Sequence, residues 1–386
     1  MSAVGDVLAW GLAGLSLAGT LYTLAAAVTL WAFYCRPLGL LPSAAMPGVT
    51  LLKPLHGAEP RLAENLASFI AQNYRGPVQL LCAVQRADDP AIAAVEALKR
   101  RFPAVRIDLV VDSTPHGSNR KVANLVNLQG HIAHDVVVLS DSDMIAGAGY
   151  LAQVVAALDR PGTGAVTLAY NARGDLGLWS RLGAAGLSWQ FWPGAVLGSV
   201  WGLARPCMGS TIAMRRATLE RIGGFAPFAD VLADDHAIGV AVRALGLDVT
   251  VAPVLVTHAS TEPTLAALWR HEIRWGATVR DVETVGYVLS VIAMPLPLAF
   301  LAMLAHGPAG PGLVIAALLA RLGLAWGADR VGGHRSIGLW WLPLRDVLSF
   351  LVFCASLTTR SVDWRGSTLK LQPNGRILAE PESPVP

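Results

Sequence analysis

Residues 136–144 read VVVLSDSDM. Four apolar residues run straight into a serine and two aspartates one residue apart. A short apolar run bounded by polar turn formers fits a strand buried on both faces of a sheet. Similar runs precede it at Val49-Thr50-Leu51-Leu52, at Val78 to Val84 (VQLLCAV) and at Val105 to Val111. Helical patterns separate them, near Ala63 to Gln72, Ala91 to Arg101 and Lys121 to His131. This alternation predicts βαβ units, and so an α/β domain with a mainly parallel sheet covered on both faces. In open sheets of this class ligands sit beyond the carboxyl ends of the strands. Asp141 and Asp143 are therefore predicted to face the ligand crevice. Residues i and i+2 of an extended segment point the same way, so both carboxylates can face one ion. Hard cations such as Mg²⁺ or Mn²⁺ take oxygen ligands, typically one or two carboxylates completed by substrate phosphates. The alternative is a pair of solvated loop aspartates, and the Asp-x-Asp spacing alone does not separate the two.

Beyond this domain the chain is too apolar for a soluble protein. Of its 386 residues 53% are hydrophobic and only 15% charged, where soluble domains carry about 25% charged residues. The excess is concentrated. Val7 to Cys35 holds no charged side chain and exceeds the roughly 20 residues that cross a bilayer as a helix. Gly286 to Ala305 is a second such stretch, and Pro311 to Gly327, broken by Arg321, a third. Ile337 to Leu357 is a fourth candidate with Arg345 and Asp346 in its middle. An integral membrane protein follows. The first stretch reads as an uncleaved anchor and not a signal peptide, because no Lys or Arg precedes it and it is about twice a signal core in length. Arg36, Lys53 and Arg61 follow it, which puts the N-terminus outside and the next segment in the cytoplasm. Two spans after Gly286 return the chain inside at Arg330 and Arg335. Val347 to Leu357 is too short to span alone, so a re-entrant or interfacial piece is favoured there. The expected organisation is an anchor at 1–36, a cytoplasmic domain at 37–284, membrane helices at 285–358 and a tail at 359–386.

The net charge of +3, with no basic run interleaved with aromatics, points away from nucleic acid. Lys99-Arg100-Arg101 reads as the solvated end of a helix. Cys35, Cys82, Cys207 and Cys354 show no paired spacing, so neither a disulfide frame nor a zinc site is indicated. Leu176 to Ala204 is rich in Trp and apolar residues, with Arg181 its one charge. It reads as core helices or as helices in the membrane interface forming a mouth for a lipid, and its aromatics favour the second.

Three more polar segments bear on the crevice. Asp88-Asp89-Pro90 follows the strand Val78 to Val84 as a second acidic strand end, though Asp-Pro is also a common helix start. His116 to Lys121 is a polar loop entering a helix, where backbone N–H groups and Lys121 suit a phosphate. Asp234-Asp235 precedes a helix at Ala237 to Leu245. One aspartate suffices as a cap, so Asp234 is given the structural role and Asp235 that of a base taking a proton from a hydroxyl. His271-Glu272-Ile273-Arg274-Trp275 sets a cation beside an aromatic, as a binding motif or a bilayer-interface belt does.

In this order Asp89, Asp141 and Asp235, followed by x-x-Arg-Trp, resemble the D, D, D, (Q/R)xxRW pattern of inverting family-2-like glycosyltransferases with the GT-A fold. GSTIAMRR at 209–216, with Ile222-Gly223-Gly224-Phe225, resembles the segment those enzymes carry before the third acid. LLKPLHGAEPRLAENLASF (51–69), VQRADDPAI (84–92), GSNRKVANL (117–125) and VDWRG (362–366) resemble the ceramide glucosyltransferase family, family 21. Within it the bacterial hopanoid-biosynthesis-associated glycosyltransferases are the most similar. The resemblance implies that Asp89 with Asp88 and Lys121 binds the donor UDP-sugar, and that Asp141 and Asp143 carry a divalent metal, Mg²⁺ or Mn²⁺, at the leaving diphosphate. It implies Asp235 as general base, Arg274 and Trp275 at the diphosphate, and inversion at the anomeric carbon. It further implies UDP-N-acetylglucosamine as donor and bacteriohopanetetrol as lipid acceptor, at the bacterial inner membrane with the catalytic domain on the cytoplasmic side. A ceramide glucosyltransferase using UDP-glucose and a sphingolipid is the alternative. A processive polysaccharide synthase fits less well, lacking the spans and the leading Gln. A non-catalytic nucleotide-binding membrane protein is disfavoured by the intact acids. His271 stands at the first box position, and Trp189 where animal ceramide glucosyltransferases have a histidine. Trp189, Trp192 and His271 are accordingly the expected acceptor-side residues. The animal enzymes also lack the second Asp of Asp141-Ser142-Asp143.

Overall fold

A computed structural model describes residues 3–35, 46–305, 310–364, 367–371 and 377–379. Part of the VDWRG segment and most of the tail thus lie outside the described residues. The chain divides into two compact units: Met1–Pro37, Asn171–Ala204 and Ser260–Thr368 form one, and Leu38–Tyr170, Arg205–Ala259 and Leu369–Pro386 the other. Residues 176–204 and the helix Leu265–Val282, both expected inside the catalytic domain, therefore group with the membrane helices.

The strands up to residue 260 are β1 (Val49–Pro54), β2 (Val78–Val84), β3 (Arg106–Val111), β4 (Val136–Leu139), β5 (Met144–Ala146), β6 (Thr163–Thr167), β7 (Tyr170–Gly174), β8 (Ile212–Arg215), β9 (Asp248–Val251) and β10 (Val256–Ser260). Seven of them form one sheet in the order β3-β2-β1-β4-β8-β6-β9. The first four are parallel, with Leu51 opposite Leu80 and Val138. β8 runs antiparallel to both its neighbours. The mainly parallel sheet matches expectation, because its strands carry the unbroken apolar runs that two covered faces demand. Successive side chains alternate between those faces. Leu51, Leu80, Cys82 and Val138 pack with the helices Leu62–Ile70, Ala91–Arg101 and Tyr150–Leu158, while Leu52, Leu81, Ala83 and Leu139 pack with Arg120–Gln129 and Asp234–Ala244. Full burial of such a Leu or Val is worth about 1.5–3 kcal/mol. The paired faces thus fix where each strand ends, and so where the following acids begin.

In the other unit, Gly5–Cys35, Gly310–Gly332 and Leu339–Ser356 are long and apolar enough to cross a membrane. Thr284–Ala293 and Pro295–Leu304 form a pair bent by 70°. The apolar stretch Gly286 to Ala305, expected as one span, is thus broken at Met294-Pro295. Proline disfavours the helical conformation of the preceding residue and lacks an N–H, and Met294 has φ −119° and ψ 52°. Arg345 and Asp346, expected to begin an interfacial piece, lie inside the continuous helix Leu342–Ser356 and are buried. They are tolerated because each is paired. Asp346 accepts two hydrogen bonds from Arg321, at 2.8 and 2.7 Å, and Arg345 donates to Glu272 at 2.8 Å. The first helix packs against Gly310–Gly332 and Pro295–Leu304. Gly19 there faces the Ile292 carbonyl with no room for a Cβ, the close approach that small residues permit between membrane helices.

The Trp-rich segment folds as Leu178–Gly186, a π turn at Leu187–Phe191 and Trp192–Val200. Trp189 and Trp192 were expected to line a lipid mouth, and the structure corrects this: both are fully buried in the unit. Their indole N–H groups donate to Asp329 Oδ1 at 2.8 Å and Tyr34 Oη at 3.0 Å. A buried indole needs such a partner, and an aqueous interface was not required to supply one. The exposed apolar residues of the segment are Leu176, Leu178, Phe191, Val200, Trp201 and Leu203.

Candidate functional site

The acids of the α/β unit gather where β4 ends. Asp141 follows Leu139 by two residues, and its backbone N–H donates to Gly209 O at 3.2 Å. Gly209 lies there because β8 is antiparallel: the residues entering β8 meet those leaving β4. Lys121, in the first turn of Arg120–Gln129, places Nζ 2.9 Å from Asp141 Oδ1 and 3.0 Å from Asp234 Oδ2. Asp235 completes the group, with Oδ2 accepting from Gly209 N at 2.9 Å and Oδ1 from His236 N at 2.7 Å. A Cβ at Gly209 would lie 2.8 Å from Asp141 Oδ2 and 3.2 Å from Lys121 Nζ, so a side chain there would push those movable ends aside.

The electrostatics show an excess of negative charge. Burial acts against the Lys121 ammonium, but Asp141, Asp234 and Asp235 outweigh it and hold its pKa above the usual lysine value. Burial, together with the neighbouring carboxylates Asp143 and Asp235 respectively, raises Asp141 and Asp234 above the ordinary carboxylate range despite Lys121. A set of hard oxygen donors short of positive charge fits a divalent cation. Among the described residues no group of three or more His, Cys, Asp or Glu side chains can hold a metal ion. An ion on Asp141 and Asp143 would therefore complete its shell with water and phosphate oxygens, the ordinary habit of Mg²⁺.

Several expectations change in detail. Asp141 and Asp143 are not two positions of one extended segment: a turn at Ser142–Asp143 separates β4 from β5. Asp143 is instead set by the β5–β10 pairing, its carbonyl accepting from Ala259 N at 2.8 Å and its carboxylate lying 3.2 Å from His258 Nε2. The loop before Lys121 offers no open phosphate cradle. Ser118 N donates to Asp230, Asn119 N to Ala229 O, and Lys121 N and Val122 N to the capping Asn119 side chain. The Lys121 ammonium is what remains for a ligand. Asp234 makes no side-chain cap to its helix and acts through Lys121 instead.

Asp89 is buried, and its Oδ1 accepts from Ala91 N and Gly57 N, both at 2.9 Å. It thus serves the helix start and also holds the loop after β1, with His56 3.7 Å from its other oxygen. Asp88 is exposed and paired with Arg86. On the membrane unit, His271 pairs with Glu262 and meets Trp275 edge-on at 4.4 Å. Arg274 and Trp275 are half-buried on the same helix.

Sequence reasoning overlooked three contributors. Lys53, read only as one of the positive charges after the anchor, is fully buried in β1 against the Phe69 ring. Its Nζ donates to Ser140 Oγ at 2.9 Å and Asp141 O at 2.8 Å, pinning the end of β4. A lysine inside the run VTLLKPL was the available signal. Burial lowers its pKa to about 7, against the pull of Asp141 and Asp143. Gly209 was visible only as part of a motif, and His258 as a lone histidine carried no signal.

A family model described as Glycosyl transferase family 21 matches residues 12–377. Ceramide glucosyltransferase 3 of Caenorhabditis elegans is 24% identical over 86% of this chain and 75% of its own length. Ceramide glucosyltransferase 1 of the same organism is 23% identical over 61% of this chain, and the matched part spans half of that relative. Among solved structures, the mannosyltransferase PcManGT from Pyrobaculum calidifontis, in complex with GDP-Man and Mn²⁺, superposes with a TM-score of 0.51 at 20% identity. The match covers 92% of this chain and 99% of that one, and it identifies the fold as that of a glycosyltransferase.

Proposed function

The chain belongs to glycosyl transferase family 21, and from that premise we propose that it is a metal-dependent, inverting glycosyltransferase that moves a sugar from a UDP-sugar to the hydroxyl of a membrane lipid. The observation that carries this reading is the cluster of Asp141, Lys121, Asp234 and Asp235 around Gly209 at the end of β4. Asp141 and Asp143 would hold a divalent cation, and when bound it would supply positive charge at the leaving diphosphate. Lys121 holds its ammonium between the acids, within reach of a phosphate oxygen. Asp235, oriented by two backbone N–H groups, takes the proton of the acceptor hydroxyl as oxygen attacks the anomeric carbon and the bond to the diphosphate breaks. Asp89 keeps the loop after β1 in place for the nucleoside. Arg274 and Trp275 are assigned the diphosphate on the family pattern alone.

N-acetylglucosamine and bacteriohopanetetrol are the proposed sugar and acceptor, on the subfamily resemblance. Glucose and ceramide form the second reading, favoured by the relatives named above. The inner membrane, with the α/β unit in the cytoplasm, is the proposed location. The test is the purified protein in detergent with Mg²⁺, offered UDP-N-acetylglucosamine or UDP-glucose with each lipid separately. An N-acetylhexosamine mass gained by the hopanoid supports the first reading. A hexose gained by ceramide alone moves the protein to the second, and UDP release with neither lipid modified rejects both acceptors.

A further inference from the structure

The membrane unit has a cavity of about 370 Å³ at the end of the helix Gly310–Gly332. Trp326, Asp329, Arg330, His334, Arg335 and Leu339 line it. Nothing in the proposed transfer uses these residues. We propose that this cavity binds the phosphodiester headgroup of an anionic membrane phospholipid.

The charge balance favours an anion. Arg330 and Arg335 are both exposed, and among the described residues neither forms a direct ion pair. The one acid, Asp329, is turned to another task, since its Oδ1 accepts the indole N–H of Trp189. His334 is fixed on the wall, its ring nitrogens 2.9 Å from Ala172 O and 3.1 Å from Gly332 O. The two guanidinium groups are thus what the cavity offers, and a planar guanidinium fork matches phosphate oxygens in pairs.

The apolar lining and the position indicate a lipid and not a soluble anion. Arg330 lies 5.4 Å over the Trp326 ring, and Leu339 also lines the cavity. Such a floor suits the glycerol and first acyl carbons beneath a phosphate. Arg330 stands in the last turn of a helix of membrane-crossing length. Trp326 is 55% exposed and Trp340 81%, the aromatic signature of a bilayer boundary. The positive-inside rule puts this basic end in the cytoplasm, where the leaflet is anionic and basic pockets between membrane helices hold lipid headgroups.

The test uses the full chain reconstituted in bilayer nanodiscs of phosphatidylcholine, alone or with phosphatidylglycerol. Lipid kept through gentle detergent extraction is identified by mass. Each arginine near an anionic lipid contributes about fivefold, so Arg330→Gln with Arg335→Gln is expected to weaken phosphatidylglycerol retention by roughly 25-fold. Arg330→Lys with Arg335→Lys, which keeps charge but loses the fork, is expected to fall between. Unchanged UDP binding and gel-filtration behaviour show that the variants are folded. Equal retention of the two lipids, or full retention by the glutamine pair, overturns the proposal. Displacement of phosphatidylglycerol by millimolar inorganic phosphate would reassign the cavity to a soluble phosphate and also overturn it.

Discussion

Replacing Lys121 by Met removes the ammonium that lies 2.9 Å from Asp141 and 3.0 Å from Asp234. The two contacts are unequal. The Asp141 side chain is 33% exposed, so that pair is screened and contributes about 1 kcal/mol at most. Asp234 is only 7% exposed, and stranding a buried charge costs about 3–5 kcal/mol. Lys121→Met should therefore destabilise the α/β unit by about 4 kcal/mol. Asp234→Asn leaves Lys121 with Asp141 and with Asp235 nearby, and should cost about 1–2 kcal/mol. The double variant buries no lone charge and should cost about 2 kcal/mol, less than the sum of the singles by about 3 kcal/mol. Cys82 and Cys207 are buried in this unit, whereas Cys35 and Cys354 are exposed in the other. With the exposed pair changed to serine, thiol labelling along a urea gradient reads the opening of the α/β unit alone. Additivity of the two single effects within about 0.5 kcal/mol would refute the argument.

Two other variants follow from the same geometry. Lys53 has its pKa lowered to about 7 from 10.5, so between those values the unfolded chain binds more protons and stability must rise with pH. That rise amounts to roughly 4–5 kcal/mol, and Lys53→Met should abolish it in the same labelling assay repeated across pH. Gly209→Ala puts a methyl 2.8 Å from Asp141 Oδ2. It should shift stability by under about 1 kcal/mol, because the clash is with a movable side-chain end, yet lower metal-stimulated UDP release at least tenfold, by about 1.4 kcal/mol.

How far the sequence was legible depended on whether a residue's fate was local. β2, β4 and the helix Ala91–Arg101 appear at the expected bounds, because an apolar run buried on both faces ends where burial ends. Burial of Trp189 was decided by Asp329, 140 residues away, and no local pattern carries that. The bend at Pro295 was encoded locally, whereas the charges of Arg345 and Asp346 are answered by Glu272 and Arg321 from other helices. In the acid cluster the residue types were readable one by one. Their meeting was not, since it depends on β8 entering antiparallel beside β4 and bringing Gly209 to Asp141. Lys53 was read only as a charge following the anchor, whereas its amine is buried and donates to Ser140 Oγ and Asp141 O.

Asp235, held by Gly209 and His236, is proposed as the base of a sugar transfer to a lipid. The most direct measurement of this role is lipid mass after a single turnover of Asp235→Asn, with UDP binding measured on the same sample by calorimetry. UDP affinity should stay within about twofold of the parent, while glycolipid formation should slow by about 10²–10⁴. Glycolipid formed at the parental rate by the asparagine variant would contradict this role.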